Sequence, residues 1–122
     1  MLIGVHGNDC DPLDILLITN ELTFPGCIIQ VRPIGIFRML DRDLHDDKVL
    51  AVPATDPLFS GYHYLRNVPP HFLHEVAHFF EVYKDLDGAR TKPIGWEDAE
   101  AAKEEITRSI TLFDDRFELP AL

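Results

Sequence analysis

The chain changes character at Pro69-Pro70, and this change constrains the fold more than any other feature of the sequence. Before the two prolines, short β-branched and apolar runs alternate with turn residues such as Pro25-Gly26, a pattern typical of short strands joined by tight turns. The strand-like runs cover residues 15–18, 28–39 and 49–52. Because they lie too close together for helical crossovers, they predict a mostly antiparallel sheet.

The second half of the chain predicts two amphipathic helices. Directly after the prolines, which favour a helix start, apolar residues recur at helical spacing: Phe72, Val76, Phe79 and Tyr83. This stripe predicts a helix over 72–84 whose apolar side chains pack on the sheet. A second stripe predicts a longer helix over 97–113, with acidic residues in its first turn that complement the helix dipole. The sequence therefore predicts an α+β fold, with a loop over 56–70.

The composition indicates what the chain can bind. Its 122 residues fit a single domain over 1–122, and 21 acidic against 11 basic residues give a net charge of −10. Such an acidic chain repels nucleic-acid phosphates and anionic membranes, and it favours a divalent metal as partner. Cys10 and Cys27 fit no disulfide or metal-binding pattern, and no apolar run reaches the length of a membrane span. Since no secretory leader pattern is present either, we expect free thiols and a cytoplasmic protein.

Three carboxylates, Asp9, Asp11 and Asp14, stand within six residues beside the first strand-like run. At an effective dielectric constant near 20, two carboxylates about 4 Å apart repel by roughly 4 kcal/mol, so their convergence in one pocket requires a cation. Oxygen ligands of this type select Mg²⁺, Mn²⁺ or Ca²⁺. The spacing does not fit an EF-hand, and Pro12 interrupts it. The alternative is a solvated acidic turn.

A second acidic segment, residues 41–48, separates two of the strand-like runs. A loop here can bring Asp41 and Asp46 together as metal ligands while Lys48 directs its ammonium group at a phosphate. Two-metal phosphoryl chemistry needs carboxylates from separate segments, so the two acidic segments together favour such a site. The alternative for this segment is a polar hairpin loop.

The first predicted helix carries two further patterns. His74-Glu75-Val76-Ala77-His78 matches HExxH, in which both histidines lie on one helix face and can ligate zinc, with Glu75 as the base. The buried apolar stripe competes for nearly the same face, and no third ligand is assured. Later in the helix, Tyr83 and Lys84 can clamp a phosphate, although a Tyr on the apolar stripe followed by a surface Lys is the commoner arrangement.

Taken in order, these residues resemble the family I soluble inorganic pyrophosphatases. Residues 9–15 are similar to that family's signature, except that Cys10 stands where the family usually has Gly, Asn, Ser or Asp. The agreement runs from Asp9 to about Ile110 and implies a partial, mostly antiparallel, OB-like β-barrel of the pyrophosphatase type with two helices in the C-terminal half. The further matching segments are Pro25-Gly26, Arg32-Pro33-Ile34-Gly35, Met39-Leu40-Asp41, Asp46-Asp47-Lys48, Ala51-Val52-Pro53, Ala77-His78-Phe79-Phe80-Glu81, Tyr83-Lys84-Asp85-Leu86 and Gly95-Trp96.

The resemblance implies hydrolysis of inorganic pyrophosphate to two phosphates by metal-activated water. Mg²⁺, for which Mn²⁺ can substitute, would bind four carboxylates: Asp9, Asp14, Asp41 and Asp46. Asp11 would accept a proton from the attacking water. The phosphoryl oxygens would be held by three side chains: Lys48, Tyr83 and Lys84. The same resemblance makes His78 a packing or interface residue, so we expect no zinc at the HExxH segment.

In the family several strands precede the signature, whereas only eight residues precede Asp9 here. The chain is therefore expected to correspond to the C-terminal part of a pyrophosphatase. Unpaired strand edges would favour a homo-oligomer, and the loss of N-terminal substrate contacts would impair turnover more than metal binding. Two other hypotheses stay open, a non-catalytic metal- or phosphate-binding remnant and the zinc peptidase.

Overall fold

The computed structural model describes residues 2–6, 12–20, 24–86 and 91–116. Two short 3-10 helices, Pro57–Phe59 and Leu65–Asn67, interrupt the connection that was predicted as a loop. The strands are β1 (Leu2–His6), β2 (Pro12–Leu17), β3 (Val31–Asp41), β4 (Leu44–His45), β5 (Lys48–Pro53) and β6 (Thr91–Asp98), and the α-helices are α1 (Pro70–Leu86) and α2 (Ala99–Arg116).

The described strands form one mixed sheet in the order β1, β2, β5, β3, β4, and β6 pairs with the opposite edge of β3. All pairings are antiparallel except that of β2 with β5, which is parallel. The prediction of a partial, mostly antiparallel barrel is confirmed, since the sheet is not closed. The parallel pair was not predicted, because we expected parallel strands to need a helical crossover. Here the chain passes from β2 to β5 through the β3–β4 hairpin instead.

The hairpin between β3 and β4 turns at Arg42 and Asp43, whose φ angles are 53° and 66°. Two residues with positive φ between paired strands form a type I′ turn, whose twist matches that of the strands. The turn places Asp41 opposite Leu44. The same register continues into β5, and it places three further pairs of residues opposite one another: Met39 and Asp46, Arg38 and Asp47, Phe37 and Lys48.

The sheet buries apolar side chains on both faces. On the face covered by α2, the core consists of Leu13, Ile15, Ile36, Val49, Ala51 and Ala102. On the face covered by α1, it consists of Ile34, Leu50, Val52, Phe59 and Val68, with Phe72 and Leu73 of α1 packed against them. Every residue of β5 is buried, which explains why the run 49–52 is apolar without alternation.

Helix α1 covers the predicted range 72–84 and begins two residues earlier, at Pro70, but its buried face differs from the predicted stripe. Phe79 was expected on the buried face and is 58% exposed. Instead Phe80 turns inward, with its ring centroid 6.4 Å from that of Phe37. Phe72 and Val76 keep their predicted places, but the half-buried face is shifted toward the following residues and consists of Phe72, Leu73, Val76, Ala77 and Phe80.

Helix α2 begins at Ala99, slightly later than predicted, because residues 91–98 form β6. The sequence pattern missed β6 since Pro93 and Gly95 disfavour a strand, and long-range pairing with β3 stabilises it. Asp98 ends the strand by accepting hydrogen bonds from the backbone N–H groups of Leu65 at 3.1 Å and Ala99 at 2.8 Å. These bonds lower the pKa of the Asp98 carboxyl below its usual value.

Neither described helix is long and apolar enough to cross a membrane.

Candidate functional site

The parallel pairing of β2 with β5 brings the two acidic segments together. Asp14 in β2 is the register partner of Lys48, the first residue of β5. Asp46, two residues before Lys48, lies on the same side of the chain. The ammonium group of Lys48 donates hydrogen bonds to Asp14 Oδ2 and to Asp46 Oδ1, the latter at 2.6 Å. We refer to Asp14, Asp46 and Lys48 as the site cluster.

The members of the site cluster differ in their exposure to solvent. The Lys48 side chain is 6% exposed, whereas those of Asp14 and Asp46 are 30% and 20% exposed. The Lys48 nitrogen also lies 5.6 Å from the centroid of the Phe80 ring of α1, a distance that allows a cation–π contact. The ammonium group therefore forms the floor of the cluster, and the two carboxylates form its solvent-facing rim.

The donor set of the site cluster fits a hard divalent cation. Asp14 and Asp46 direct oxygen atoms at one positively charged nitrogen, so their oxygens converge. Proteins commonly hold Mg²⁺ with one or two carboxylates, and water or phosphate oxygens fill its other positions. Over the described ranges, no three His, Cys, Asp or Glu side chains form a metal-binding group. The fit therefore rests on this pair of carboxylates.

Asp41, a third predicted ligand, lies at the end of β3 beside the hairpin turn. Its side chain is 23% exposed and forms an ion pair with Arg42 at 3.9 Å. Asp41 is not one of the two carboxylates that pair with Lys48. The structure thus brings together two of the predicted metal ligands and the predicted phosphate-binding lysine, and it does not include Asp41 in that contact.

The other predicted site residues are described in part or not at all. Asp9 and Asp11 lie outside the described residues, as does Cys10 of the signature. Tyr83 and Lys84 belong to α1, but their side chains are also outside the described part. The helix backbone places positions 83 and 84 three and four residues after Phe80, one turn further along the helix. The roles of these residues stay predictions.

The HExxH segment lies in α1 with its histidine side chains exposed. His74 and His78 are both exposed, so they lie away from the core. Glu75, the predicted base of a zinc site, instead has its carboxylate 2.7 Å from the His71 Nε2 atom. The expectation that this segment holds no zinc stays a prediction.

A second charged cluster lies on the opposite face of the segment that carries Asp46 and Lys48. Asp47, between these two residues, accepts hydrogen bonds from the Arg38 guanidinium group at 2.9 Å and from the Met39 N–H at 3.1 Å. Arg38 also donates to Glu97 at 2.5 Å and lies 3.4 Å from Glu105. Glu105 of α2 also forms an ion pair with Arg108 of the same helix. We refer to these residues as the Arg38 cluster: Arg38, Asp47, Glu97, Glu105 and Arg108.

The Arg38 cluster was not found from the sequence, because residues 41–48 were interpreted as a loop. A two-residue turn at Arg42 and Asp43 would have predicted it, since that register places Asp47 opposite Arg38. Burial lowers the pKa of the Arg38 guanidinium group, but its hydrogen bonds to Glu97 and Asp47 outweigh burial and raise the pKa above its usual value. Arg38 is therefore a permanent positive charge in this cluster.

Comparison with known proteins gives the family of the chain. A family model described as inorganic pyrophosphatase matches residues 4–114. The inorganic pyrophosphatase of Methanosarcina acetivorans is 51% identical over 94 residues, which are 77% of this chain and 56% of that protein. The inorganic pyrophosphatase of Geobacillus stearothermophilus is 46% identical over 108 residues, which are 88% of this chain and 66% of that protein. The chain thus spans 56–66% of the length of these two relatives.

Solved structures give the same result at the level of the fold. An inorganic pyrophosphatase from Coxiella burnetii matches 92% of this chain and 69% of its own, with a TM-score of 0.85 and 39% identity. The inorganic pyrophosphatase of Thermus thermophilus matches 90% of this chain and 65% of its own, with a TM-score of 0.83 and 34% identity. With the family model matching nearly its whole length, the chain belongs to the inorganic pyrophosphatase family.

Proposed function

We propose that this chain hydrolyses inorganic pyrophosphate to two phosphates in a Mg²⁺-dependent reaction. The observation that carries the proposal is the convergence of Asp14 and Asp46 on Lys48, in a chain of this family. Carboxylates suited to a hard cation stand beside an ammonium group suited to a phosphoryl oxygen, and phosphoryl transfer uses both. The proposed location is the cytoplasm, which the free thiol of Cys27 supports.

We assign the divalent cations to four carboxylates: Asp9, Asp14, Asp41 and Asp46. Mg²⁺ is the proposed cation and Mn²⁺ a substitute, because both prefer oxygen ligands. Bound there, the cations would lower the pKa of the attacking water and neutralise charge on the phosphoryl oxygens. The solvent-facing carboxylates of Asp14 and Asp46 support this assignment.

The side chains of the chain itself supply the remaining functions. In the structure, Lys48 neutralises part of the charge of Asp14 and Asp46. With cations held by these carboxylates, the Lys48 ammonium group would be able to donate to a phosphoryl oxygen. Tyr83 and Lys84 donate to other phosphoryl oxygens, and Asp11 accepts the proton of the attacking water.

Release of phosphate from pyrophosphate in the presence of Mg²⁺ tests the proposal. We expect release by the parent chain and a loss of about 100-fold or more in Asp14→Asn, because Asn keeps the shape of the side chain but not the charge that holds the cation. Asp43→Asn is the matched control, because it makes the same change at an exposed turn residue. Its positive φ of 66° is one that Asn adopts readily.

Three outcomes would contradict the proposal in different ways. A parent chain that is stabilised by Mg²⁺ but releases no phosphate would be a non-catalytic binding module. Equal losses in Asp14→Asn and Asp43→Asn would separate the activity from the site cluster. Stoichiometric zinc that is lost in His74→Ala would favour the zinc peptidase.

We further propose that the chain forms homo-oligomers. Large apolar side chains on the outer surface of α1 support this, since Phe79 is 58% and Val82 is 43% exposed. Among the described strands, β1 and β6 each pair on one side only, so each offers a backbone edge. Sedimentation velocity should show an oligomer that Phe79→Ser weakens. A monomeric parent chain would contradict the proposal.

A further inference from the structure

We propose that Asp47 is a positioning residue of the candidate active site, an inference that rests on the proposed function of the site cluster. Its neighbours in the chain, Asp46 and Lys48, belong to that cluster. Asp47 itself points to the opposite face of the sheet, where its side chain is 3% exposed. Its role is to fix the backbone from which both neighbours project.

The hydrogen bonds of Met39 show how Asp47 does this. Asp46 lies opposite Met39, and its N–H donates to the Met39 carbonyl at 2.9 Å. In an unbroken antiparallel ladder, the Met39 N–H would donate back to the Asp46 carbonyl. Here it donates to Asp47 Oδ1 at 3.1 Å. A side-chain oxygen thus replaces a backbone acceptor at the junction of β4 and β5, where Asp46 stands.

The second oxygen of Asp47 makes this anchor rigid. Asp47 Oδ2 accepts from the Arg38 guanidinium group at 2.9 Å, and Arg38 also contacts Glu97 and Glu105. The carboxylate cannot rotate away from Met39 without breaking a buried charge-assisted bond. Asp47 therefore fixes the relative placement of Asp46 and Lys48 from the face of the sheet opposite the site cluster.

Two substitutions of Asp47 separate positioning from a general loss of stability. Asp47→Leu has a similar shape and no acceptor, whereas Asp47→Asn keeps one acceptor oxygen and replaces the other by an NH2 donor, so it can keep only one of the two hydrogen bonds, to Met39 or to Arg38. Glu97→Gln is the matched control, because it removes a carboxylate from Arg38 at the 53% exposed Glu97 without touching residues 46–48. Mg²⁺ affinity by calorimetry and hydrogen exchange of the Asp46 N–H by NMR are measured at a temperature where all variants are folded.

We expect Asp47→Leu to weaken Mg²⁺ binding about tenfold and to accelerate exchange at Asp46 to a similar extent, as outer-shell substitutions at metal sites commonly do. Asp47→Asn should lie between Asp47→Leu and the parent chain, because it keeps one of the two hydrogen bonds, and Glu97→Gln should change both quantities by less than about threefold. Should Asp47→Leu fail to fold, Asp47→Ala gives the same comparison.

Two results would overturn the inference. The first is equal behaviour of Asp47→Leu and Glu97→Gln, and the second is an Asp47→Leu variant whose Mg²⁺ affinity and Asp46 exchange rate both stay within about threefold of the parent chain. If the parent chain does not bind Mg²⁺, the proposed function fails, and the exchange rate at Asp46 alone decides whether Asp47 fixes this backbone.

Discussion

The two charged clusters on either side of residues 46–48 carry the same formal charge but are built differently. The site cluster combines two carboxylates with one ammonium group, and the Arg38 cluster combines three carboxylates with two guanidinium groups. The side chains of Asp14 and Asp46 are 30% and 20% exposed, whereas those of Asp47 and Glu105 are 3% and 6% exposed. In the site cluster the carboxylates are partly exposed and the ammonium group is buried, whereas in the Arg38 cluster Asp47 and Glu105 are buried and Arg38, Glu97 and Arg108 are 23%, 53% and 42% exposed.

This difference indicates which cluster can accept a ligand. Arg38 donates in fixed directions to carboxylates from separate elements, and its removal would leave the buried Asp47 carboxylate without its guanidinium partner. Lys48 is a point charge on a flexible stem, and a divalent cation brings more charge to the same two carboxylates. We therefore propose that a divalent cation can take the place of the Lys48 ammonium group beside Asp14 and Asp46, whereas Arg38 stays the fixed partner of Asp47.

The largest expected effect on stability comes from removing the guanidinium group of Arg38. Arg38→Met should lower the free energy of unfolding by about 3–5 kcal/mol, because the substitution leaves Asp47 buried without its ion-pair partner. Urea denaturation measures the change. Lys103→Met is the control: its 3.7 Å ion pair with Glu100 is exposed, so the expected change is within about 0.5 kcal/mol. Equal effects of the two substitutions would remove the distinction between the clusters.

Replacing each basic residue by the other type, in Arg38→Lys and Lys48→Arg, should give smaller effects that separate stability from activity. Arg38→Lys should cost about 2 kcal/mol of stability, because an ammonium group cannot reproduce the guanidinium hydrogen bonds, and should lower phosphate release less than Lys48→Arg does, because Asp47 keeps a positively charged partner. Lys48→Arg should change stability by about 1 kcal/mol or less and lower phosphate release about tenfold or more. The opposite pattern, with stability lost at Lys48 and activity lost at Arg38, would break the comparison.

The smallest predicted effect concerns Asp98, which belongs to neither cluster. Asp98→Ala should cost about 1 kcal/mol near neutral pH, because the backbone N–H of Ala99 loses its acceptor. The folded-state pKa of Asp98 is lowered, so its stabilisation is present above the unfolded pKa of about 4 and is lost as pH falls below it. Urea titrations should show the difference from the parent chain shrinking on acidification. A difference that is constant or grows would contradict this assignment.

Short-range patterns of the sequence predict much of the fold, because strands such as β5 and both helices follow from residues close together in the chain. β6 depends on pairing with β3 across more than fifty residues, so no local pattern reveals it. The shift of the buried face that exposes Phe79 is likewise set by packing on the sheet.

The candidate site could likewise be predicted only in part from the sequence. The resemblance to the family names Asp14, Asp46 and Lys48, but their contact depends on the parallel β2–β5 register, which the runs of apolar residues did not predict. The role of Asp47 depends on the register of the β3–β4 hairpin, where the sequence predicted only a loop. Residues that act directly can thus be named from a resemblance, whereas residues that hold them in place require the structure.

The melting temperature with and without about 5 mM Mg²⁺, measured for the parent chain and for Asp14→Asn, tests the central claim most directly. If the site cluster binds an exchangeable cation, Mg²⁺ should raise the melting temperature of the parent chain by about 4 °C or more, and that of Asp14→Asn by about 1 °C or less. The same rise in both proteins would show that the metal site lies elsewhere. No rise in the parent chain would contradict the account of the site cluster itself.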